Sequence, residues 1–489
     1  MSEAPIDVAV IGAGPAGMAA ALRLCDEGVA VTVLDEQLQM GGQILRQPPR
    51  AIRVRDWLPG RIYDDPKDVL RRAQQVGLDV RTGSTVWGIF VPDRRTPVFD
   101  VRFVRDGMGH SLRARRVIVA SGCIEQAVAF PGWQLPGVMP AGGLQALLKS
   151  QQVIAGERIV LAGSHPLLLV VAQQLLTAGA RLEAVLFAQP WPQALALARD
   201  PLALMYGVGA LRHAASAMLE LRRHRVSVRF GAAVVEAYGE QRLEGIRWAP
   251  VRHAVPQHAE SRELPCDVFG FCFGFLPASE LARQAGARAI ALPHGGHAIH
   301  HDGAGRTDVA GLYVAGEPTG VKGANAAIVE GQLAAMSVLE DAGRSPRLAL
   351  ERRRAARRLR RHQRFSRQLA MLSTMPDRFF DALLTDDTLV CRCEDVDCGP
   401  LRRALAANPL VRDANALKLL ARPGMGLCQG RYCEITVARL LRQTGIDPGA
   451  GFRPRPPVRP VPVHALCDAP SAEAIRWDDL HSVNDPEHR

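Results

Sequence analysis

The sequence predicts an α/β protein of several domains, with a nucleotide-binding first part and a small helical part near its end. Three observations carry this. The chain has 489 residues, too many for one ordinary domain, and its 47% hydrophobic content suffices for more than one core. A strand, a "GAGPAG" turn, a helix and a second strand follow one another from Ile6 to Glu36, and another strand–turn–helix unit starts at Arg158. Cys391, Cys393, Cys428 and Cys433 stand close together in otherwise helical sequence.

The first unit has the context that a dinucleotide turn requires. Ile6 to Val10 reads as a strand, "MAAALRLCDEG" as a helix and "AVTVLDE" as a second strand. Gly12 permits the tight turn, Gly14 lets backbone approach a pyrophosphate, and Gly17 lets helix and strand pack closely. Pro15 and Ala16 open the helix, whose free N–H groups face the phosphates. Asp35 closes the second strand where a carboxylate would accept ribose hydroxyls; Glu36, one residue on, is the second candidate.

Further segments bear on whether the dinucleotide is FAD or NAD. "GGQILR" supplies Gly41, Gly42, Gln43 and Arg46. "VIVASG" ends at Ala120, Ser121 and Gly122. Far downstream, "TDVAGLYVAGEPTGVKGANAAIVEGQLAA" contains a strand ending in Gly316-Glu317 and a turn at Gly323 that opens a helix at Ala324. In this order the pieces resemble the two-dinucleotide-binding flavoproteins of the glutathione reductase type. The resemblance implies FAD. It places Glu317, where the family usually has Asp, on the ribityl chain, and Gly323 and Ala324 at the flavin ring. It adds Val86, Ala120, Ser121 and Gly122 to the cofactor contacts.

The second unit, "RIVLAGSHPLLLVVAQQLLTAGA", keeps strand and helix, but its turn reads Gly163-Ser164-His165. Histidine stands where glycine would allow pyrophosphate approach, so a Rossmann-like domain without NAD(P)H is expected. No redox cysteine pair lies near the flavin segments: Cys25, Cys266 and Cys272 read as small buried groups. His294, His297, His300 and His301 fit no zinc spacing and read as a loop and strand edge.

The net charge is +11 and the pI about 9.5, carried almost wholly by arginine; the lysines are Lys67, Lys149, Lys322 and Lys418. No nucleic-acid motif accompanies the charge, so no nucleic acid is expected. The N-terminus has no basic leader, and no apolar run reaches the ~18 residues of a membrane span. A cytoplasmic protein is expected, with a peripheral position at the inner membrane left open. In that reducing setting cysteines favour burial or metal ligation over disulfides.

From Glu351, "ERRRAARRLRRHQRFSRQL" reads as a basic helix, either solvated or facing an acidic partner. The cysteines follow as C-x-C, 34 intervening residues, and C-x₄-C, a set open to zinc or to an iron–sulfur cluster. Cys398 reads as packing. The C-x-C pair with a glycine-rich closing turn resembles the bacterioferritin-associated ferredoxin module, a small helical [2Fe-2S] domain, although that module closes with C-x-x-C. "CRCE" and "GMGLCQGRYC" together resemble the α-type subunits of heteromeric amine and amino-acid dehydrogenases, those of hydrogen cyanide synthase, opine oxidase and D-hydroxyproline dehydrogenase. The flavin part also resembles a portion of the α chain of sarcosine oxidase. This resemblance spans Ile6 to about Pro462.

It implies a [2Fe-2S] cluster on Cys391, Cys393, Cys428 and Cys433, with the C-x-C pair on one edge and the C-x₄-C loop on the other. Arg392 and Arg431 would raise its potential, and a helix beginning after Cys433 would offer free N–H groups. The implied fold is a two-dinucleotide-binding-domain flavoprotein plus a small helical [2Fe-2S] domain. Its parts are FAD domain 1–150 and 263–345, degenerate second domain 151–262, basic linker 346–388, cluster domain 389–445 and Pro-rich tail 446–489. The implied function is electron transfer within an FAD-dependent dehydrogenase of amino or imino acids. The implied partners are an amino-acid-oxidase-like flavoprotein β subunit and a one-electron acceptor or respiratory chain, with a small third subunit for a further candidate. A stand-alone NAD(P)H-dependent reductase and a non-enzymatic redox scaffold are the rival readings.

Overall fold

The computed structural model describes residues 4–49, 51–52, 54, 58, 63–91, 98–194, 200–293, 295–344 and 349–467. The N-terminal unit forms as expected: β1 (Ile6–Ile11), α1 (Pro15–Cys25) and β2 (Val31–Leu34), with β1 and β2 parallel. All four residues of β2 are buried, as in a strand covered on both faces. β3 (Asp79–Arg81) extends this edge in parallel. β4 (Thr85–Phe90) and β5 (Phe99–Arg105) form an antiparallel meander that runs into β6 (Met108–Val119).

β6 joins two arrangements. Its first half lies antiparallel to β5, and its second half lies parallel to β1. The strand Leu312–Val314 then pairs in parallel with Val117–Val119, so a segment from far downstream completes the first sheet.

The second sheet is wholly parallel. Its order is Ser227–Phe230, Leu182–Phe187, Ile159–Gly163, Val268–Cys272, Val138–Pro140. This moves the boundary expected at 263. Val268–Cys272 belongs to the second sheet, where all five of its residues are buried between Ile159–Gly163 and Val138–Pro140. An apolar strand of this kind is stable only with neighbours on both edges and cover on both faces.

α2 (Ala324–Asp341) packs directly on α1. A Cβ on Gly331 would stand 2.1 Å from the Ala16 carbonyl oxygen, and one on Gly316 would stand 2.8 Å from the Ala16 Cβ. Backbone-to-backbone approach at this crossing therefore requires glycine.

The basic segment forms one long helix, α3 (Ala349–Ser373), and it is neither free nor merely solvated. Leu359 is buried against Ala326, Val329 and Leu333 of α2. Arg364 pairs with Asp200 at 2.7 Å, Arg361 lies 5.8 Å over the Tyr206 ring, and Arg352 pairs with Glu340. Its other arginines, such as Arg353, Arg357 and Arg360, are exposed.

The cysteine region consists of a hairpin, Leu389–Cys391 with Val396–Asp397, and the helices Cys398–Ala407, Ala414–Ala421 and Glu434–Gln443. It has no separate core: Phe130, and Phe271 of the second sheet, share one buried cluster with Val390, Leu401, Leu417, Val437 and Phe452. The Trp133 indole N–H donates to the Leu389 carbonyl at 2.6 Å. The tail returns to the first domain, where Val458 is buried and its N–H donates to the Trp87 carbonyl at 2.9 Å. Among the described residues no helix is long and apolar enough to cross a membrane.

Gly331→Ala would press a methyl group into the Ala16 carbonyl. A stability loss of about 1–3 kcal/mol is expected from this overpacking, read by denaturant unfolding; an unchanged midpoint would show that the crossing is not tight.

Candidate functional site

The three glycines of the first loop have different surroundings. A Cβ on Gly12 would stand 2.3 Å from the Ala120 carbonyl oxygen, and one on Gly17 would stand 1.8 Å from that of Gly12, so both are required by the fold. A Cβ on Gly14 would meet nothing closer than the Gly42 Cα at 3.9 Å. Gly14 is thus the glycine of the three with an open side. Gly42, at φ +61°, backs it from the next loop.

The two acidic candidates at the end of β2 separate by burial. Asp35 is 7% exposed, and both its oxygens are taken: one accepts from the Ala13 N–H at 2.5 Å, the other from the Gln37 N–H at 2.7 Å. Burial pushes its carboxyl up to about 6, against those hydrogen bonds. Asp35 therefore braces the glycine loop, and the exposed carboxylate beside the groove is Glu36. The strand period alone does not tell which of two adjacent acids turns inward.

Around the groove, Arg46 donates to Gln43 at 2.7 Å and to Gln37 at 2.5 Å, while Gln43 itself is exposed. Val86 and Ala120 are buried. Ser121 Oγ donates to the Ala278 carbonyl at 2.6 Å, and the Ala278 N–H donates to the Gly122 carbonyl at 3.0 Å, fixing the turn after β6. Glu317 lies at the start of α2 and accepts from the N–H groups of Gly323 at 2.8 Å and Lys322 at 3.3 Å. Burial raises its carboxyl to about 7. Because α1 and α2 cross at Ala16, the helix starts at Pro15 and Ala324 belong to two packed neighbours.

The second turn is closed by the chain itself. Ser164, fully buried, gives its Oγ hydrogen to the Ser373 carbonyl at the end of α3. The Ser164 and His165 N–H groups donate to the Cys272 carbonyl at 2.9 and 3.2 Å. His165 Nδ1 accepts from the Leu167 N–H at 3.1 Å, its ring meets Phe275 edge-on at 5.1 Å, and burial lowers its pKa to about 4. Turn N–H groups that would bind phosphate are occupied.

The cysteines pair by depth rather than by sequence. Cys391 and Cys433, each 1% exposed, are hydrogen-bonding partners; Cys393, exposed, partners the half-buried Cys428. Cys391 ends a buried strand, whereas Cys393 stands in the turn beyond it. The Cys433 hydrogen bond draws Cys391 down to about 5, and the Gly424 N–H reaches the same sulfur at 3.4 Å. The glycines have steric reasons: a Cβ on Gly426 would stand 2.2 Å from the Cys393 Cβ, and Cβ atoms on Gly424 and Gly430 would stand 2.4 and 2.2 Å from the Phe452 ring. The helix Glu434–Gln443 begins directly after Cys433. Arg392 lies 5.2 Å over the Trp133 ring, and Arg431 pairs with Glu280 at 3.4 Å. Among the described residues no three His, Cys, Asp or Glu side chains gather in a geometry to hold one metal ion. His297 pairs with Glu434 at 3.3 Å, and His294 lies outside the described residues.

The sequence pattern of the pyridine nucleotide-disulphide oxidoreductases matches residues 6–331. The chain belongs to this family. It is an FAD-dependent oxidoreductase. The HcnB chain of the hydrogen cyanide synthase of Pseudomonas aeruginosa is 34% identical over 94% of this chain and 97% of its own length. A chain of Rhizobium meliloti, named as one of the subunits of opine oxidase, is 35% identical over 94% and 98%. The crystal structure of L-proline dehydrogenase from P. horikoshii shares the fold, with a TM-score of 0.69 at 20% identity, covering 95% of this chain and 81% of that one.

Two buried ionisable side chains have no role in the sequence reading. Glu125, on the strand after β6, accepts from the Gly142 N–H at 2.7 Å, and burial raises its carboxyl to about 7. Lys149 is 5% exposed on a π-helical turn, Leu147–Gln151. Their signals were a lone acid in "CIEQAVAF" and one of only four lysines, set in the apolar run "LQALLKSQ".

Gly14→Val should leave secondary structure and thermal unfolding of the apoprotein unchanged while abolishing the flavin absorbance of the purified protein; a folded variant with full FAD contradicts the assignment. Asp35→Asn and Glu36→Gln should differ. The first lowers stability by about 1–3 kcal/mol, because one backbone N–H loses its acceptor; the second leaves stability unchanged and weakens FAD binding. In the wild type the folded Asp35 keeps its proton from about pH 4 to about pH 6, where the unfolded chain has lost it. Its contribution to stability therefore falls as pH rises through that window and is constant above it. Denaturation at several pH values should show this slope, and Asp35→Asn should remove it.

Proposed function

We propose that this chain is the electron-transferring subunit of a heteromeric FAD-dependent dehydrogenase that oxidises the C–N bond of an amino or imino acid of opine, hydroxyproline or glycine type. The observation that carries the proposal is the meeting of Cys391, Cys393, Cys428 and Cys433 as two sulfur pairs, one buried and one at the surface, in a region whose core is shared with the second domain. Relatives that match along nearly the whole chain are named as subunits, which supports a partner.

The donor set fits a two-iron centre better than a single ion. A structural zinc draws four ligands to one point. A [2Fe-2S] centre takes four thiolates, two to each iron, and the two pairs here supply that division. When bound, FAD supplies two-electron acceptance and the cluster single-electron transfer. The chain's own residues would do the rest. Gly12, Gly14 and Gly17 open the loop to a pyrophosphate, and Glu36 accepts ribose hydroxyls. Glu317 holds the ribityl side, with Gly323 and Ala324 at the ring. Gly424 donates its N–H to Cys391. Substrate oxidation is assigned to an amino-acid-oxidase-like flavoprotein partner, and single electrons leave from the Cys393–Cys428 side to a one-electron acceptor.

Replacing any one of the four cysteines by serine should reduce or abolish iron content and the reduced-state EPR signal while FAD content stays at wild-type level. Protein holding one zinc and no iron would overturn the proposal. Calorimetry with NADH and NADPH should give no binding, since the Ser164–Ser373 contact and His165 occupy the second turn; micromolar affinity for either would favour the stand-alone reductase.

A further inference from the structure

The turn from Gly316 to Gly323 is held together by a buried ion pair. Lys322 gives its ammonium to the Glu330 carboxylate at 2.7 Å, the two side chains being 17% and 5% exposed. The same ammonium donates to the Thr319 carbonyl at 3.0 Å and to the Thr319 hydroxyl at 2.5 Å, so all three of its hydrogens are placed. The other Glu330 oxygen accepts from the Gly316 N–H at 3.0 Å and lies 2.9 Å from the Thr319 hydroxyl. Gly316 and Gly323 stand at φ +77° and +88°, a backbone form that glycine adopts readily and other residues resist.

Lys322 is also held by its backbone. Its N–H donates to Glu317 at 3.3 Å, and its carbonyl accepts from Ser366 Oγ of α3 at 2.6 Å. Glu330 directly precedes Gly331, the residue of α2 that lies against the Ala16 carbonyl. One lysine side chain thus joins the turn to the crossing of α1 and α2. A buried ion pair is a poor source of stability, because desolvation offsets the attraction and uncharged residues of similar volume often serve as well. A buried pair with every donor placed defines a shape, and the shape here is that of the turn bearing Glu317 and Gly323.

We propose that Lys322, pinned by Glu330, is a positioning residue for FAD: it holds the turn in the one shape in which Glu317 and Gly323 meet the cofactor. It acts through the turn, whose assignment to FAD this role presupposes.

The test is titration of the apoprotein with FAD, followed by flavin fluorescence, beside thermal unfolding of the same apoprotein. Lys322→Met/Glu330→Gln removes both charges and keeps an acceptor for the Gly316 N–H. Its unfolding midpoint should stay close to that of wild type, while its FAD affinity falls about tenfold or more, the scale of a lost charge-assisted hydrogen bond. The visible circular dichroism of the bound flavin should change with it. Lys322→Met alone leaves the Glu330 charge buried, so it should lower the midpoint as well as the affinity. Thr319→Val removes only the hydroxyl between ammonium and carboxylate; it should weaken FAD binding severalfold, and it serves if the double variant fails to fold. Either variant, folded and binding FAD with wild-type affinity and unchanged flavin dichroism, overturns the inference. A lowered midpoint with unchanged affinity overturns it too, since the pair would then serve stability alone. Wild type that takes up no FAD would overturn the cofactor assignment itself, so the two failures are told apart by the wild-type titration.

Discussion

The rest of the site depends on the contact of two backbones at Ala16 and Gly331. Helix starts bind anions and polar rings because their first N–H groups lack intrahelical partners. One such start is common. Two that serve one extended ligand must be held at a fixed spacing, and here a glycine on one helix lies against a carbonyl on the other. Gly316, close to the Ala16 Cβ, carries the strand end bearing Glu317 into the same contact. The order "GAGPAG" … "GEPTG" in the chain is thus the linear trace of a single packed crossing.

Much of this was legible because it depends on local chemistry. A strand, a glycine turn and a helix in register leave few alternatives, and Gly12, Gly14 and Gly17 have the steric surroundings their spacing implies. The replacement at Ser164-His165 was also legible, although the sequence could only mark the turn as unsuited to a nucleotide. That Ser373, at the end of a helix beginning nearly two hundred residues later, fills it depends on long-range packing that no local pattern records. The burial of Asp35 beside the exposed Glu36 depends on the same kind of information. Adjacent acids are equivalent in composition, and only the fold decides which one meets backbone donors. The boundary at 263 failed because an apolar strand such as "VFGFC" carries no label for its sheet.

The cysteine region shows how sequence spacing and spatial pairing part company. C-x-C suggests two sulfurs on one edge. The chain instead crosses from core to surface between Cys391 and Cys393, and each finds the cysteine of the closing loop at its own depth. Glycines near cysteines are often credited with approach to a cluster. Here Gly424 and Gly430 have a plainer task as well, since the ring of Phe452 occupies the space their side chains would need. That ring belongs to the core shared with the second domain, so the shape of the turn is set from outside its own segment.

A shared core and a strut have a consequence for how the cysteine turn sits relative to the rest of the molecule. Modules joined by a flexible tether meet by search, and the frequency of their encounters follows linker length and effective concentration. Nothing of that kind governs the cysteine turn. α3 is anchored along its length by Leu359, Arg361 and Arg364, and its end is stitched into the second domain at Ser164. The separation between the first glycine loop and the cysteine turn is a constant of the folded state, fixed when the chain folds. Lengthening a loop would not tune it; only repacking the interior would.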